Sequence, residues 1–335
     1  MKRTKNPAKE AEYRKRAADL VAQMTLHEKV SQMLSWAPAI ERLGIPAYNW
    51  WSEGIHGVGR AGTATVFPQA IGMAAAFDED MMEQVGNAVG VEARGKYNMC
   101  RAHGDRDIFK GLTVWAPNIN IFRDPRWGRG HETYGEDPFL TSRLGVRFVE
   151  GMQGDDPDYL QAAACAKHFA VHSGPESDRH HFNAIVSKQD LWETYLPAFR
   201  ALVKEAGVEA VMGAYNRTNG EPCCGSKTLL KDILRDKWHF DGHVTSDCWA
   251  IKDFHTGHMV TDGPVESVAL AVNNGCDLNC GSAFLHLQEA YEKGLVSEEA
   301  ITKAVERLME VRIRLGMMKA VSYTHLRAHE TTLHL

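Results

Sequence analysis

The chain has 335 residues, of which 44% are hydrophobic and 24% charged, and its 38 Lys and Arg against 43 Asp and Glu give a formal net charge of −5. This composition is typical of a soluble globular protein and excludes disordered, collagen-like and low-complexity chains. The balanced charge predicts no nucleic-acid or membrane-surface partner, and no apolar run reaches the roughly 20 residues of a transmembrane helix.

The first residues predict two helices and no leader sequence. Residues 1–5 are basic and precede a charged amphipathic segment instead of an apolar one, so no signal peptide is visible and we expect a cytoplasmic protein. Asn6-Pro7 is a typical helix start, with a capping side chain before a proline at the first helical position. Thr25 and Glu28 form a capping box, which predicts a second helix through Met33.

The segment from Gly57 to Gly62 matches the G-x-G-x-x-G pattern of dinucleotide-binding loops. Such a loop follows a buried strand and opens a helix. Here the pattern follows residues 48–53, which do not read as a buried strand, and runs into Phe67-Pro68. We interpret it as a tight loop, and an NAD-dependent oxidoreductase is a remote alternative.

Beyond residue 100, short apolar runs alternate with longer amphipathic stretches, which predicts a parallel sheet. Helical patterns lie at 191–206, at 229–238 after a Ser226 cap, and at 297–315 before Gly316. About 250 residues is typical of a (β/α)8 TIM-type barrel, so we expect that α/β fold, with a doubly wound open sheet as the alternative. The apolar runs, each ending in polar residues, are 111–120, 162–168, 209–216, 242–247 and 274–279.

The last residues differ in character from the rest of the chain. Residues 321–335 show neither helical nor strand periodicity and contain three histidines, a composition that also fits a metal-binding tail. The string VSYTHLRAHET matches the in-frame translation of a transposase adapter from sequencing libraries, which places the end of the natural reading frame at about Ala320. We therefore assign residues 1–318 to one domain, with its linker helix, and residues 319–335 to a non-native tail.

Histidine and cysteine residues give weak indications of a metal site. His168, His172, His180 and His181 cluster, but Ser173-Gly174-Pro175 predicts a loop among them, and no Cys ligand follows at regular spacing. We interpret the four as hydrogen-bonding or core histidines and expect no metal. The seven cysteines are scattered without paired spacing, so we expect free thiols in a reducing compartment.

A group of charged and polar side chains lies where the predicted strands end. In a TIM-type barrel this edge forms the pocket in which chemistry takes place. An Asp nucleophile must be ionised, and neighbouring Lys or Arg lowers its pKa. Nearby tryptophans (Trp50, Trp51 and Trp249) suit a sugar, which has hydroxyl edges and an apolar face. Any one charge is explained as an ion pair, but together they predict a catalytic pocket. The members are Arg129, Lys167, His168, Arg179, Tyr215 and Asp247.

At these residues the chain resembles the N-terminal barrel of glycoside hydrolase family 3, over about residues 24–318. The resemblance implies a TIM-type barrel, hydrolysis of β-glycosides with retention of configuration, a small oligosaccharide or glycoside as substrate, and no cofactor. The segments that carry it, in chain order, are GIPAYNWWSEGIHGV, FPQAIGMAAAFD, WAPNINIFRDPRWGRGHETYGEDP, AKHFAVHSGPESDRHHFNA, VMGAYNRTNGEPCC and GHVTSDC.

The resemblance also implies roles for the pocket residues. Asp247 in GHVTSDC occupies the position of the catalytic nucleophile, and Tyr215 matches the tyrosine that packs beside it. Lys167 and His168 match the pair that binds sugar hydroxyls. Asp247 would form a covalent glycosyl-enzyme that water then hydrolyses.

Further positions bear on substrate binding. Arg129 and Arg179 match the two pocket arginines of the family, although Arg179 falls one residue later than in many relatives. Glu53 lies where glucosidases of the family usually have an Asp that grips distal hydroxyls, and Trp249 is expected to contact substrate. The NWWSE and SDC spellings resemble the β-xylosidase and arabinofuranosidase branch, which favours xylosides over glucosides.

The acid/base carboxyl group has no clear counterpart in the sequence. A retaining mechanism needs one roughly 5–5.5 Å from the nucleophile, and two-domain relatives usually supply a Glu from an α/β sandwich domain after the barrel. We expect that second domain to be absent here, which would leave this fragment poorly active. Single-domain relatives that cleave N-acetylglucosaminides use an Asp-His dyad, for which Asp178 and His180 are the alternative. A non-catalytic carbohydrate-binding barrel is the other alternative.

Overall fold

The computed structural model describes residues 6–318. Two interpretations of the sequence concern residues outside that part, namely the basic start at 1–5 and the non-native tail at 319–335. The predicted α/β fold of TIM-barrel type is confirmed, because parallel strands form the centre of the described residues and helices follow them in the chain.

Helices make up most of the regular structure. The α-helices are α1 (Pro7–Val21), α2 (Leu26–Gln32), α3 (Ala70–Ala74), α4 (Glu79–Ala102), α5 (Pro138–Gln153), α6 (Lys188–Asp190), α7 (Pro197–Ala201), α8 (Asp253–Thr256), α9 (Pro264–Asn273), α10 (Leu287–Glu292) and α11 (Glu298–Arg314). The π-helical segments are Leu191–Tyr195, Leu202–Ala206 and Lys227–Lys237. Short 3-10 turns lie at Glu41–Leu43, Gly130–Glu132, Glu176–Asp178, Cys223–Gly225 and Ala283–His286. The helices predicted at 191–206, 229–238 and 297–315 are therefore confirmed to within three residues.

The strands are short and form three sheets. They are β1 (Trp36–Ala37), β2 (Tyr48–Asn49), β3 (Thr113–Val114), β4 (Ala163–Phe169), β5 (Asn183–Ala184), β6 (Ala210–Gly213), β7 (Arg217–Thr218), β8 (Glu221–Pro222) and β9 (His243–Ser246). The central sheet is parallel, in the order β3–β4–β6–β9. Every residue of β4 is buried, as expected of a parallel strand covered on both faces.

Single bridges extend this sheet on both sides until its ends meet. Ser52 pairs in parallel with Val114 beside β3, and Leu278 pairs in parallel with Thr245 of β9. Leu34 pairs in parallel with Asn279, and the ring closes where β1 and β2 pair antiparallel. The antiparallel joint distinguishes this barrel from one built of parallel pairs throughout. Closure brings the carboxyl ends of the parallel strands to one rim.

The first two helices begin at the capping residues that the sequence predicted. The Asn6 side chain accepts hydrogen bonds from the backbone N–H groups of Ala8 and Lys9 at the start of α1. Thr25 and Glu28 cap each other's backbone N–H groups reciprocally, and α2 ends at Gln32, one residue before the predicted end. Each cap satisfies donors that the first helical turn would otherwise leave without partners.

The glycine-rich segment 57–62 is a loop, as predicted. Gly57 has a φ of 122°, and a Cβ at this position would lie 2.1 Å from the carbonyl oxygen of Thr65. Glycine is therefore required at this position, because two backbone segments approach each other closely. No helix begins in this loop, so it lacks the helix start that would hold a phosphate. The described residues contain no helix long and apolar enough to cross a membrane.

A buried ion cluster joins the first and last helices to the strand ends opposite the pocket rim. Arg314 of α11 donates to Glu10 of α1 at 2.6 Å and to Glu209, which precedes β6, at 2.6 Å. It also pairs with Glu310 one turn earlier on α11. Arg314 is almost fully buried, so its charge is balanced by these carboxylates and not by water.

Candidate active site

Asp247 lies at the rim of the barrel, directly after β9. Its backbone N–H donates to the carbonyl of Gly213 at the end of β6, at 3.2 Å, which fixes the main chain across neighbouring strands. Its Oδ1 accepts a hydrogen bond from the N–H of Cys248 at 2.8 Å, whereas Oδ2 has no hydrogen-bond partner among residues 6–318. One carboxylate oxygen is therefore held by the backbone, and the other is buried without a hydrogen bond among the described residues.

Three cations set the electrostatics around Asp247. Burial raises the pKa of the Asp247 carboxyl above its ordinary value, and the charges of Arg129, Lys167 and Arg179 oppose that rise. Each of the three residues comes from a different loop or strand, so the barrel brings together charges that are far apart in the sequence. The carboxylate is buried, so these charges act on it with little screening by solvent.

His168 faces the same carboxylate as a neutral imidazole. Its Nε2 lies 3.7 Å from Asp247 Oδ2. Asn120 Oδ1 accepts the backbone N–H of His168, and the same oxygen lies 3.0 Å from Nδ1, so Nδ1 carries the proton and Nε2 is an acceptor. Burial, and next the charge of Arg129, hold the pKa of His168 well below its ordinary range. Nε2 can therefore accept a hydrogen bond from a hydroxyl group of a ligand.

Arg129 is clamped by a carboxylate that the sequence interpretation missed. Its Nε and Nη2 donate to Oε1 and Oε2 of Glu132 at 2.7 and 2.6 Å. Both side chains are mostly buried, and Asn118 Nδ2 lies 3.4 Å from Glu132 Oε2. An Arg and Glu three residues apart in GRGHE was the available signal, but the same spacing occurs in many exposed pairs.

Arg179, which lies in the 173–182 loop, and Tyr215, which follows β6, form one side of the site. The Arg179 guanidinium lies 5.7 Å from the centre of the Tyr215 ring and pairs with Glu176. Burial and the neighbouring Asp247 carboxylate both raise the pKa of the Tyr215 hydroxyl well above its ordinary range. Tyr215 therefore stays protonated and can donate a hydrogen bond beside Asp247.

Glu53 and Lys167 occupy the opposite side of the site. Lys167 Nζ lies 4.0 Å from Glu53 Oε2, while the indole N–H of Trp51 donates to Glu53 Oε1 at 2.7 Å. The Trp51 ring stacks on Trp115 with centroids 5.6 Å apart. The structure thus brings Glu53 and Lys167 together as a polar edge flanked by aromatic rings, the type of surface that a sugar binds.

The three tryptophans singled out in the sequence have different positions. Trp249 is 53% exposed beside the site and lies over Gly281, and it lines a cavity of about 250 Å³ with Lys252 and His255. Trp50 is fully buried and packs against Tyr48 and His243. The expectation that Trp50 offers its face to a ligand is wrong, because the closing joint of the barrel turns this ring into the core.

The structure does not form the Asp178–His180 dyad that was considered as an alternative acid/base. His180 Nδ1 bonds to Asp253 Oδ2 at 2.7 Å, so the structure pairs His180 with Asp253 and not with Asp178. Asp253 comes from α8, 73 residues further along the chain, which is why sequence spacing gave no signal for it. The His180 ring also contacts the edge of Tyr215, with centroids 4.9 Å apart.

The clustered histidines make hydrogen bonds and ring contacts with neighbouring residues. His172 Nδ1 bonds to Asn216 Oδ1 at 3.1 Å, and His181 Nδ1 lies 3.1 Å from the Gly257 carbonyl. Burial lowers the pKa of His172 to about 3. Over residues 6–318, no three His, Cys, Asp or Glu side chains are grouped so that they could hold a metal ion.

The expectation of free thiols is wrong for two cysteines. Cys248, directly after Asp247, forms a disulfide with Cys280, and the N–H of Trp249 donates to the Cys280 carbonyl at 2.7 Å. The two cysteines are 32 residues apart but follow neighbouring strand ends, and only the parallel pairing of Thr245 with Leu278 brings them together. The other five are free thiols.

We expect replacement of Cys280 by Ser to destabilise the protein by roughly 2–4 kcal/mol, because the disulfide restricts the unfolded chain. Urea unfolding without reductant measures the loss, and Cys100→Ser, at a free and partly exposed thiol, is the matched control. In the unfolded, unreduced wild type, a thiol titration should find five reactive groups. A count of seven would contradict the disulfide.

Comparison with known proteins adds the family context. The family model described as "Glycosyl hydrolase family 3 N terminal domain" matches residues 16–311. The chain is 50% identical over 311 residues to a xylan 1,4-beta-xylosidase of Xylanibacter ruminicola, a match covering 91% of this chain and 36% of that protein. The chain thus spans little more than a third of this relative's length.

Two solved structures show the same architecture. A GH3 exo-beta-xylosidase, XlnD, solved with a xylobiose aziridine activity-based probe, matches with a TM-score of 0.89 and 34% identity, over 94% of this chain and 42% of that one. The β-glucosidase EmGH1 from Erythrobacter marinus matches with a TM-score of 0.80 and 28% identity, over 92% of this chain and 46% of that one.

Proposed function

Because this chain belongs to glycosyl hydrolase family 3, we propose that it forms the nucleophile half of a retaining β-glycosidase site that acts on terminal β-xylosyl residues, or on β-glucosyl residues as the second choice. The observation that carries the proposal is the buried Asp247 carboxylate, surrounded by Arg129, Lys167 and Arg179, with Oδ2 making no hydrogen bond among residues 6–318. The relatives named as β-xylosidases favour xylosides.

The proposed reaction begins with attack of Asp247 on the anomeric carbon. The Asp247 oxygen forms a bond to C1 while the bond from C1 to the leaving group breaks, and the leaving group takes the electron pair. The positive charges near Asp247 keep it ionised for this step. His168 Nε2 and the Glu53–Lys167 edge would accept and donate hydrogen bonds to the sugar hydroxyls, which orients the ring for attack.

We propose that the acid/base comes from outside residues 6–318. Glu132 accepts hydrogen bonds from Nε and Nη2 of Arg129, and Glu53 accepts one from Trp51 and lies 4.0 Å from Lys167, so each of these carboxylates already has a cationic neighbour. A general acid must start protonated, whereas the Arg129 hydrogen bonds hold the pKa of Glu132 below its ordinary value against the effect of burial. The limited share of the relatives' length that this chain covers supports a further carboxyl group elsewhere.

The experiment that tests this proposal uses glycosyl fluorides, because fluoride leaves without protonation by a general acid. Incubation of the 335-residue chain with 2-deoxy-2-fluoro-β-xylosyl fluoride should release fluoride and add one fluoroxylosyl group per chain, seen by intact mass. The corresponding glucosyl reagent should react more slowly. No labelling by either reagent would overturn the proposal, and binding of xylose without labelling would favour a carbohydrate-binding barrel.

A further assay separates the acid/base alternatives. Rapid turnover of an aryl N-acetyl-β-glucosaminide that is lost in His180→Ala would favour a single-domain enzyme, with His180 and Asp253 as its dyad. We expect no such turnover, because we propose that the acid/base comes from outside residues 6–318.

The labelling rate should increase with pH through a single ionisation. Asp247 reacts only when ionised, and burial raises its pKa, so the rate should fall about tenfold per pH unit below a pKa higher than that of an ordinary aspartate. His168 stays neutral over the same range and adds no second ionisation. A rate that is flat down to the ordinary Asp range would contradict this electrostatic description. Release of fluoride, followed with an ion-selective electrode, gives the profile.

A further inference from the structure

We infer that Glu132 is a positioning residue for the proposed glycosidase reaction, one that fixes the Arg129 guanidinium beside Asp247 and balances its charge. This inference rests on the proposed function and names a residue to which nothing in the family resemblance gave a role. Its basis is the bidentate contact of 2.7 and 2.6 Å between two mostly buried side chains.

Both oxygens of the Glu132 carboxylate accept hydrogen bonds. Oε1 accepts from Arg129 Nε, and Oε2 accepts from Arg129 Nη2, with the amide of Asn118 3.4 Å away. Two parallel hydrogen bonds fix the plane of a guanidinium as well as its distance. Asn118 in turn pairs in parallel with Lys167, so the carboxylate connects the Arg129 loop to the strand that carries Lys167 and His168.

The backbone around Glu132 supports a fixed role. Gly130 begins the short turn Gly130–Glu132, and a Cβ at Gly130 would lie 2.2 Å from the Phe122 ring. The Thr133 hydroxyl donates to the Gly130 carbonyl at 2.8 Å, which closes the same turn. Arg129 and Glu132 are therefore held by a tight turn, and neither side chain needs to be ordered when a ligand binds.

Charge balance is the second part of the inference. Asp247 is faced by charged or titratable side chains from four segments, which are Arg129, Lys167 with His168, Arg179 and Tyr215. Glu132 offsets one of the cations at close range. Without it, the Arg129 charge acts on Asp247 uncompensated, and the carboxylate becomes easier to ionise and a weaker nucleophile.

The test is the variant Glu132→Gln, measured by the rate of labelling with 2-deoxy-2-fluoro-β-xylosyl fluoride across pH. Gln keeps the shape but directs an NH2 group at one Arg129 donor, so we expect labelling to slow by up to about 100-fold, the loss that a misplacement of about 1 Å can cause. We also expect the acid limb of the profile to move to lower pH, since the net charge around Asp247 becomes more positive. Glu132→Asp retains the charge and should recover part of the rate and the wild-type limb.

The matched control is Glu150→Gln. Glu150 pairs with Arg147 three residues earlier on α5, at 2.9 Å, and is also buried, but it lies outside the pocket. The Glu150→Gln variant should be labelled at the wild-type rate and with the wild-type pH profile. If Glu132→Gln kept the wild-type profile, or lost rate only in proportion to its unfolded fraction by circular dichroism, the inference would be wrong while labelling of the wild type upheld the proposed function. Failure of the wild type to label would instead remove the proposed function itself.

Discussion

Replacing Asp247 by Asn is expected to abolish covalent labelling by 2-deoxy-2-fluoro-β-xylosyl fluoride. The structure leaves Asp247 Oδ2 without a hydrogen bond among the described residues and surrounds the carboxylate with three cations. An amide has no charge with which to attack C1, so the loss should be on the order of 10⁴-fold or more, as found when a catalytic residue of a covalent mechanism is removed.

The Asn variant suits this site because it retains the local hydrogen bond. Asn Oδ1 can still accept the Cys248 N–H that Asp247 accepts at 2.8 Å, so the loop after β9 should keep its conformation. Asp232→Asn, on the surface beside Lys227, is the control and should label at the wild-type rate. Peptide mapping of the labelled wild type identifies the modified residue, and a fluorosugar attached to any residue other than Asp247 would refute the assignment.

The second large effect concerns stability. Replacing Arg314 by Met is expected to lower the free energy of unfolding by roughly 3–5 kcal/mol at neutral pH, the range for a buried ion pair that loses one partner. Arg314 is the common partner of Glu10, Glu209 and Glu310, and it is almost fully buried. Without the guanidinium, these carboxylates must be protonated or drawn towards water.

The pH dependence of the loss follows from the carboxyl groups. Burial raises the pKa of Glu310 from 4.5 to about 7, against the opposing charge of Arg314. A carboxyl with a raised pKa in the folded state costs no stability below its unfolded value, and its cost grows as pH rises through the interval between the two values. Removing Arg314 removes the opposing charge, so the deficit of the variant should be larger at pH 8 than at pH 5.

Urea unfolding at the two pH values measures this difference. Lys303→Met on the same helix is the matched control, because the Lys303–Glu299 pair is exposed and such pairs contribute about 0–1 kcal/mol. An Arg314→Met protein that is as stable as wild type at pH 8 would show that the cluster does not hold α1 and α11 to the barrel. Glu209→Gln removes one of the three carboxylates and keeps Arg314, so it should lower the free energy of unfolding by less. This variant still tests the cluster if Arg314→Met does not fold.

Much of the local structure and most of the pocket could be predicted from the sequence. Asn6 and the Thr25–Glu28 capping box act on backbone groups within a few residues, so their effect does not depend on the rest of the fold. The ends of the apolar runs correctly located the rim, because carboxyl ends of parallel strands meet at one edge. The charge of Lys167 accordingly acts on the Asp247 carboxylate.

The sequence by itself therefore determined the helix starts, the strand ends and the charged residues that those ends present. Only the tertiary structure decided that Cys248 bonds to Cys280, that His180 bonds to Asp253, and that Trp50 lies in the core. The physical reason is distance along the chain. A cap is complete within one helical turn, whereas partners 32 or 73 residues apart meet only because the closed sheet sets which strand ends are neighbours.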